Sequence, residues 1–241
     1  MQTLFPRLVA AIVFVIAMVA SAEDKSDSLY FSGLDDFREP KGWTVVKSAV
    51  GDPDEKKWAS LEPGTGVLIN GEAGKAGNLT TKFEHGDLEA TIEFMIPKGS
   101  NSGIYFQGRY ELQILDSFGK ADDAITVHDC GAIYERWDEK RDPKGYEGTT
   151  PKTNASKAPG EWQSFHVIFR APRFDGAGNK TENARFVKVE HNGKLIHENV
   201  EVTGPTRGGI ANEVAKGPLN IQGDHGPVAF RKFELKSLSL D

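Results

Sequence analysis

Glu111, Gln113 and Asp116 are the residues of this chain whose types and spacing first suggest chemistry. They close the stretch Gly103-Ile104-Tyr105-Phe106-Gln107-Gly108-Arg109-Tyr110-Glu111-Leu112-Gln113-Ile114-Leu115-Asp116, which reads as two short strands broken at Gln107-Gly108-Arg109. Strand side chains alternate between faces, so Tyr110, Leu112 and Ile114 point one way while Glu111 and Gln113 point the other. Asp116 rejoins the Glu111 face only across a one-residue bulge, a feature common beside active sites. Three acidic or amide groups would then converge on one sheet face, where two neighbouring carboxylates can divide acid and base roles. An ordinary half-exposed strand accounts for the same alternation equally well.

Further candidates follow along the chain. His225, in the tight turn Gly223-Asp224-His225-Gly226-Pro227, suits a proton carrier near neutral pH, although a surface histidine in a turn is the plainer reading. Arg231 opens the last strand, where a guanidinium could hold a carboxylate or a substrate oxygen, or simply spread its stem over the strand end. Tyr105, Tyr134 and Trp162 offer aromatic faces to sugar rings, or else pack the core. His128-Asp129 with Glu111 or Asp116 is compatible with a divalent ion, but no spacing selects a metal, and no other cofactor is expected. His85, His166, His191 and His197 are expected to face solvent without a role. No phosphate-binding glycine loop, zinc-spaced Cys/His set or nucleophile elbow is present.

The elements that must position these groups are short β segments cut by Gly, Pro, Asn and Asp. The clearest is Asp87 to Ile96, with Leu88, Ala90, Ile92, Phe94 and Ile96 on one face and Glu89, Thr91 and Glu93 on the other. That alternation predicts a half-buried antiparallel strand. Trp43 to Val46, Gly66 to Ile69, Trp162 to Phe169, Pro218 to Gln222 and Arg231 to Leu238 read as further strands. Phe186 to His191 pairs with Lys194 to Glu198 through Asn192-Gly193, a strong hairpin dipeptide. Residues 117–160 form a long polar insertion, of the kind that is often functional. No helical period is sustained, so the chain predicts an all-β sandwich or barrel in one domain, residues 23–241.

Residues 1–22 read as an export signal: Arg7, an apolar run from Leu8 to Ala20, and Ala20-Ser21-Ala22 as the cleavage pattern. The run falls short of the roughly 20 residues that a membrane-spanning helix needs, so an exported, soluble product is expected, periplasmic, extracellular or at the cell surface. A formal net charge of −6 argues against nucleic acid or an anionic membrane as partner. Cys130, the single cysteine, allows no intrachain disulfide and reads as a small buried residue.

Taken together, Asn101-Ser102-Gly103-Ile104-Tyr105-Phe106, Gly108-Arg109-Tyr110-Glu111-Leu112-Gln113-Ile114-Leu115-Asp116-Ser117 and Cys130-Gly131-Ala132-Ile133-Tyr134 resemble the 3-keto-disaccharide hydrolase domain family, once catalogued as a domain of unknown function. Pro159-Gly160-Glu161-Trp162-Gln163, His191-Asn192-Gly193 and Gln222-Gly223-Asp224-His225-Gly226-Pro227-Val228-Ala229-Phe230-Arg231 match in the same order. The resemblance runs from about Trp43 to Leu238. It implies a concanavalin A-like jelly-roll β-sandwich of two antiparallel sheets, with a glycoside or keto-sugar on the concave face.

The resemblance also implies a reaction. A 3-keto group acidifies the hydrogen at C2, a base removes it, the anomeric substituent leaves, and water adds to the enone. On this footing Glu111, His225 and Asp116 are the expected catalytic residues, with Glu111 or His225 as base and Asp116 orienting a sugar oxygen or ligating a metal. Gln113, Arg231, Tyr105, Gln107, Tyr134 and Asp224 are the expected substrate contacts. Related sandwich glucanases carry Glu-x-Asp-x-x-Glu on one strand. Here the middle acid is Gln113, which cannot ionise, so a retaining double displacement does not follow. A non-catalytic sugar-binding module on the same fold is the alternative.

Overall fold

The computed structural model describes residues 28–30 and 33–241, so the expected export signal, residues 1–22, lies outside the described residues. In chain order the strands are β1 (Ser28–Tyr30), β2 (Phe37–Arg38), β3 (Thr44–Gly51), β4 (Trp58–Ile69), β5 (Leu79–His85) and β6 (Leu88–Met95). Next come β7 (Asn101–Phe106), β8 (Tyr110–Leu115), β9 (Arg136–Trp137), β10 (Gly145–Tyr146), β11 (Gln163–Arg170) and β12 (Arg173–Phe174). The chain ends with β13 (Lys180–Glu182), β14 (Ala184–His191), β15 (Lys194–Val202), β16 (Gly217–Ile221) and β17 (Ala229–Ser237). A 3-10 turn, Leu34–Asp36, precedes β2.

The larger sheet has eight strands, in the order β15-β14-β11-β6-β17-β4-β3, with β1 also paired to β17. The smaller has five, in the order β2-β5-β16-β7-β8. Every strand pair is antiparallel. Apolar side chains from the two facing surfaces meet in one core: Ile92, Phe94, Phe165 and Phe169 from the larger sheet, Ile104, Phe106, Leu112, Ile114 and Ile221 from the smaller. Alternation writes this arrangement directly, since β6 repeats a buried residue at every second position. The fold is a concanavalin A-like jelly-roll β-sandwich, as expected. The chain also forms β5 and β2, which local patterning did not mark, and extends β3 and β4 well beyond their expected lengths.

Two hairpins share one turn chemistry. Asn192 and Gly193 take φ of 52° and 77°, and Gln107 and Gly108 take 53° and 69°. Both pairs are left-handed at the two central positions, the conformation whose twist matches flanking strands. Gln107 is therefore a turn residue and not the expected sugar contact. It is fully buried, donates its backbone N–H to His85 Nε2 at 3.0 Å, and donates its amide to the carbonyls of His85 and Ala215 at 3.1 and 3.0 Å.

The long insertion folds back along β8. Gln113 N–H donates to the Ala132 carbonyl (2.9 Å), Gly131 N–H to Gln113 (2.8 Å), and Tyr134 N–H to Glu111 (3.0 Å). Its first part is closed by Asp129, which accepts from Ser117 Oγ at 2.7 Å, Lys120 Nζ at 2.6 Å and the Thr126 N–H at 2.8 Å. Cys130 beside it is buried, as expected, and burial pushes its thiol up to about 12. Three histidines depart from expectation. His85, His191 and His197 lie in the interior, where the cost of burying charge lowers them to about 4, 3 and 4.

Candidate active site

The outward faces of β7, β8 and the end of β16 form the floor of a cleft of about 330 Å³. It is lined by Asn101, Tyr105, Glu111, Gln113, Tyr134, Arg207, Gly208, Gln222 and His225. The floor follows from register: Tyr105 lies opposite Glu111, and Gly103 opposite Gln113. Period-two alternation thus turns Asn101, Gly103 and Tyr105 to the same side as Glu111 and Gln113, away from Ile104, Phe106, Leu112 and Ile114.

Glu111 is the chemically distinctive group. Only 3% of it is exposed, and no cation pairs with it among the described residues. Its carboxyl lies over Gly103: a Cβ there would come within 2.9 Å of Glu111 Cδ and closer still to Oε1. Glycine is needed at this position to make room. Burial raises the carboxyl to about 8, with a hydrogen bond from Tyr105 acting in the opposite direction. The Arg207 carbonyl, 3.3 Å from the Tyr105 hydroxyl, is the alternative acceptor for that one proton. Burial first, and Glu111 second, push the Tyr105 phenol upward. At neutral pH Glu111 is therefore mostly a neutral acid, with a proton to give.

His225 lines the same cleft from a fastened loop. Asn70, fully buried at the end of β4, donates its amide to the carbonyls of Gly223 and Gly226 at 2.8 and 2.7 Å. It accepts the Val228 N–H at 2.9 Å, while Ser100 Oγ donates to the Pro227 carbonyl at 2.7 Å. Gly226, with φ of 149°, passes against Lys56 and Ser100 where a Cβ would collide. On this loop His225 Nδ1 bonds Asp224 Oδ1 at 2.5 Å, which leaves Nε2 for other partners.

The structure brings Glu111, Gln113, Tyr105, Tyr134 and His225 together, with Asp224 behind His225. Asp116 and Arg231 are elsewhere. The β7–β8 register runs from Asn101–Leu115 to Phe106–Tyr110 without a bulge, so Asp116 does not rejoin the Glu111 face. Its carboxylate instead accepts the Gly99 N–H at 2.9 Å and pairs with Lys98 at 3.2 Å, closing the turn before β7. Arg231 sits on the outer face of the eight-stranded sheet, at the register shift between Phe230 and Lys232. There its Nε donates to Glu93 Oε2 at 2.5 Å and its guanidinium lies 4.5 Å from the Trp162 ring centre. Trp162 is thus committed to Arg231 and not to the cleft.

Sequence reasoning missed Asn101, Arg207, Gly208 and Gln222. Asn101 and Gln222 stood inside matching motifs, at even spacing from Gly103 and Asn220, and that period was the available signal. Arg207 and Gly208 come from the glycine-rich loop 203–217, whose path only tertiary packing decides. Gly208 approaches so closely that a Cβ would lie 3.1 Å from the Tyr105 hydroxyl. Asn101 Oδ1 is buried without a protein partner, an acceptor that a ligand hydroxyl would satisfy.

For a divalent ion the donor set does not fit. Among the described residues no three His, Cys, Asp or Glu side chains come together to hold one. Asp129 is consumed in its loop, and His128 faces Glu135 at 3.3 Å and the Tyr134 ring at 5.2 Å.

The family model for the 3-keto-alpha-glucoside-1,2-lyase-like domain matches residues 34–236. A candidate glycosyl hydrolase from Parabacteroides distasonis ATCC 8503 superposes with a TM-score of 0.57 at 25% identity, covering 82% of this chain and 79% of that one. A second candidate glycosyl hydrolase from the same organism gives 0.48 at 18% identity, covering 82% and 89%. An endo-beta-1,4-glucuronan lyase from Trichoderma reesei gives 0.43 at 12% identity, covering 87% and 95%. No curated protein matches the chain significantly.

Proposed function

Given that the chain belongs to the 3-keto-alpha-glucoside-1,2-lyase-like domain family, we propose that it is an exported carbohydrate-active enzyme that cleaves the glycosidic bond of 3-keto-glycosides. The observation that carries this reading is the Glu111 carboxyl, held as a neutral acid over Gly103 in a cleft that also receives His225. A sugar-binding module has no use for a buried proton donor of this kind; an elimination does.

In the proposed reaction His225 Nε2 takes the C2 hydrogen, and Asp224 on Nδ1 orients the ring and balances the imidazolium formed. The electron pair forms the C1–C2 double bond and the C1–O bond breaks. Glu111 protonates the departing oxygen. In the return half, water adds at C1 and gives its proton to the Glu111 carboxylate, while His225 returns one to C2. Both groups end as they began, and the sum is hydrolysis. The Tyr105 hydroxyl serves either form of Glu111, since a hydroxyl both donates and accepts. Gln113, Gln222 and Asn101 supply amides for sugar hydroxyls.

The test is release of product from a 3-keto-glucoside beside the matching ordinary glucoside. Turnover of the keto compound alone is expected. Binding of both without cleavage of either would overturn the enzyme reading in favour of a sugar-binding module. Export is checked by finding the mature chain outside the cytoplasm, beginning near residue 23.

A further inference from the structure

Among the described arginines, Arg207 and Arg141 each stack on an aromatic ring without a side-chain hydrogen bond or ion pair, and of the two it is Arg207 that lines the cleft. Arg38, Arg170, Arg173, Arg185 and Arg231 each spend donors on a carboxylate, at 2.5 to 3.1 Å. The chain has 35 acidic against 29 basic residues, so carboxylates are in surplus. Yet no side-chain acceptor among the described residues meets the Arg207 guanidinium. Its guanidinium carbon sits over Trp137, 3.8 Å from the ring centre, and its backbone N–H is tied to the Glu135 carbonyl at 2.8 Å. Stacking uses the face of a guanidinium and leaves its in-plane N–H fork free. The shelf itself is braced, because Trp137 Nε1 donates to Glu139 at 2.7 Å and Trp137 pairs with Gly145 across the β9–β10 ribbon. The guanidinium thus has a seat before any ligand arrives, and Arg207 lines the cleft that holds Glu111.

We propose that Arg207, seated on Trp137, anchors a carboxylate on the sugar at the rim of the cleft, so that the substrate is an acidic glycoside carrying a uronic acid. The proposal takes the cleft to be the sugar site argued above, and it needs no catalysis to be tested. A fork-to-carboxylate contact is bidentate and charge-assisted, whereas a neutral sugar offers the same fork only hydroxyls. Glu139 acts on the guanidinium only at longer range, with no hydrogen bond or ion pair between them, and spends its carboxylate on Trp137 and Lys144.

The experiment is calorimetric titration of the whole mature chain with a glucuronate-terminated disaccharide and with its glucose-terminated counterpart. The acidic probe is expected to bind about 10-fold tighter, the scale of one charge-assisted pair, with the advantage shrinking in high salt. In Arg207→Gln the two affinities should converge, and in Arg207→Lys, which keeps the charge but loses the fork, part of the preference should remain. Thermal melting of each variant checks that the fold is kept. Equal affinity in the natural chain, a preference that survives Arg207→Gln, or binding of neither probe would overturn the proposal. Cleavage of neutral keto-glucosides without acidic preference would remove this inference and leave the enzyme reading standing. An Arg207-dependent preference without cleavage of any glycoside would do the reverse.

Discussion

Glu111 on β8 and Glu93 on β6 are both strand glutamates, each turned away from the core by simple alternation, and they have opposite fates. Glu93 stays partly exposed and is met by Arg231, which in turn lies over Trp162. Glu111 shares its cleft with Tyr134, Arg207 and Gly208, and its carboxyl meets Tyr105 and Gly103 with no cation paired to it among the described residues. The first arrangement is an ordinary surface ion pair, the second a carboxylic acid with a raised pKa. Identity and spacing are shared; cover and counter-charge differ. What makes a carboxyl reactive here is the removal of water without the supply of a cation.

The sharpest way to break the comparison is to swap the two acids for amides. Glu111→Gln keeps the shape and hydrogen bonding of the protonated carboxyl, so the fold should persist while turnover of a 3-keto-glucoside falls by roughly 10²–10⁴-fold. Glu93→Gln should leave turnover within about twofold, as suits a residue outside the cleft. Steady-state kinetics beside thermal melting separates the two; equal losses would show that cover is irrelevant. Gly103→Ala tests the room beneath Glu111. The methyl must displace the carboxyl, and a loss of about 10- to 100-fold in kcat is expected, together with roughly 1–3 kcal/mol of stability from overpacking.

Protonation sharpens the contrast further. If Glu111 acts as the acid, kcat/KM falls tenfold per pH unit above about 8, and a pH profile flat to pH 10 would sink that role. Stability responds at the other end of the scale. His85, His191 and His197 have folded values lowered to about 4, 3 and 4, so the unfolded chain binds more protons below the ordinary histidine value of 6.5. Their contribution is present above 6.5 and is lost as pH falls toward 4. The urea midpoint should therefore drop between pH 7 and pH 5, and His191→Phe should flatten that drop. The smallest effect is expected at the surface pair. Arg231→Gln should cost no more than about 1 kcal/mol and leave turnover unchanged, because the pair is solvent-screened.

Much of the architecture was legible because it rests on local rules. The period-two pattern of β6, the Asn192-Gly193 turn and the sheet-face grouping of Glu111 with Gln113 all depend on residues a few positions apart. Asp116 was misplaced for an instructive reason. A bulge was needed to bring it round, and the chain instead spends that carboxylate on the Lys98-Gly99 turn. Arg231 was misplaced because a strand-end arginine has no face of its own until a register shift assigns it one.

By itself, the sequence determined the all-β class, the core faces of the clearest strands and which polar side chains share the β8 face, since alternation and turn chemistry act over a few bonds. Only the tertiary structure decided that Glu111 would be dry, that His225 would line the same cleft from a loop pinned by Asn70, and that Arg207 would join them there. Those outcomes depend on segments about a hundred residues apart packing together, and desolvation and electrostatics are set by that packing, not by composition.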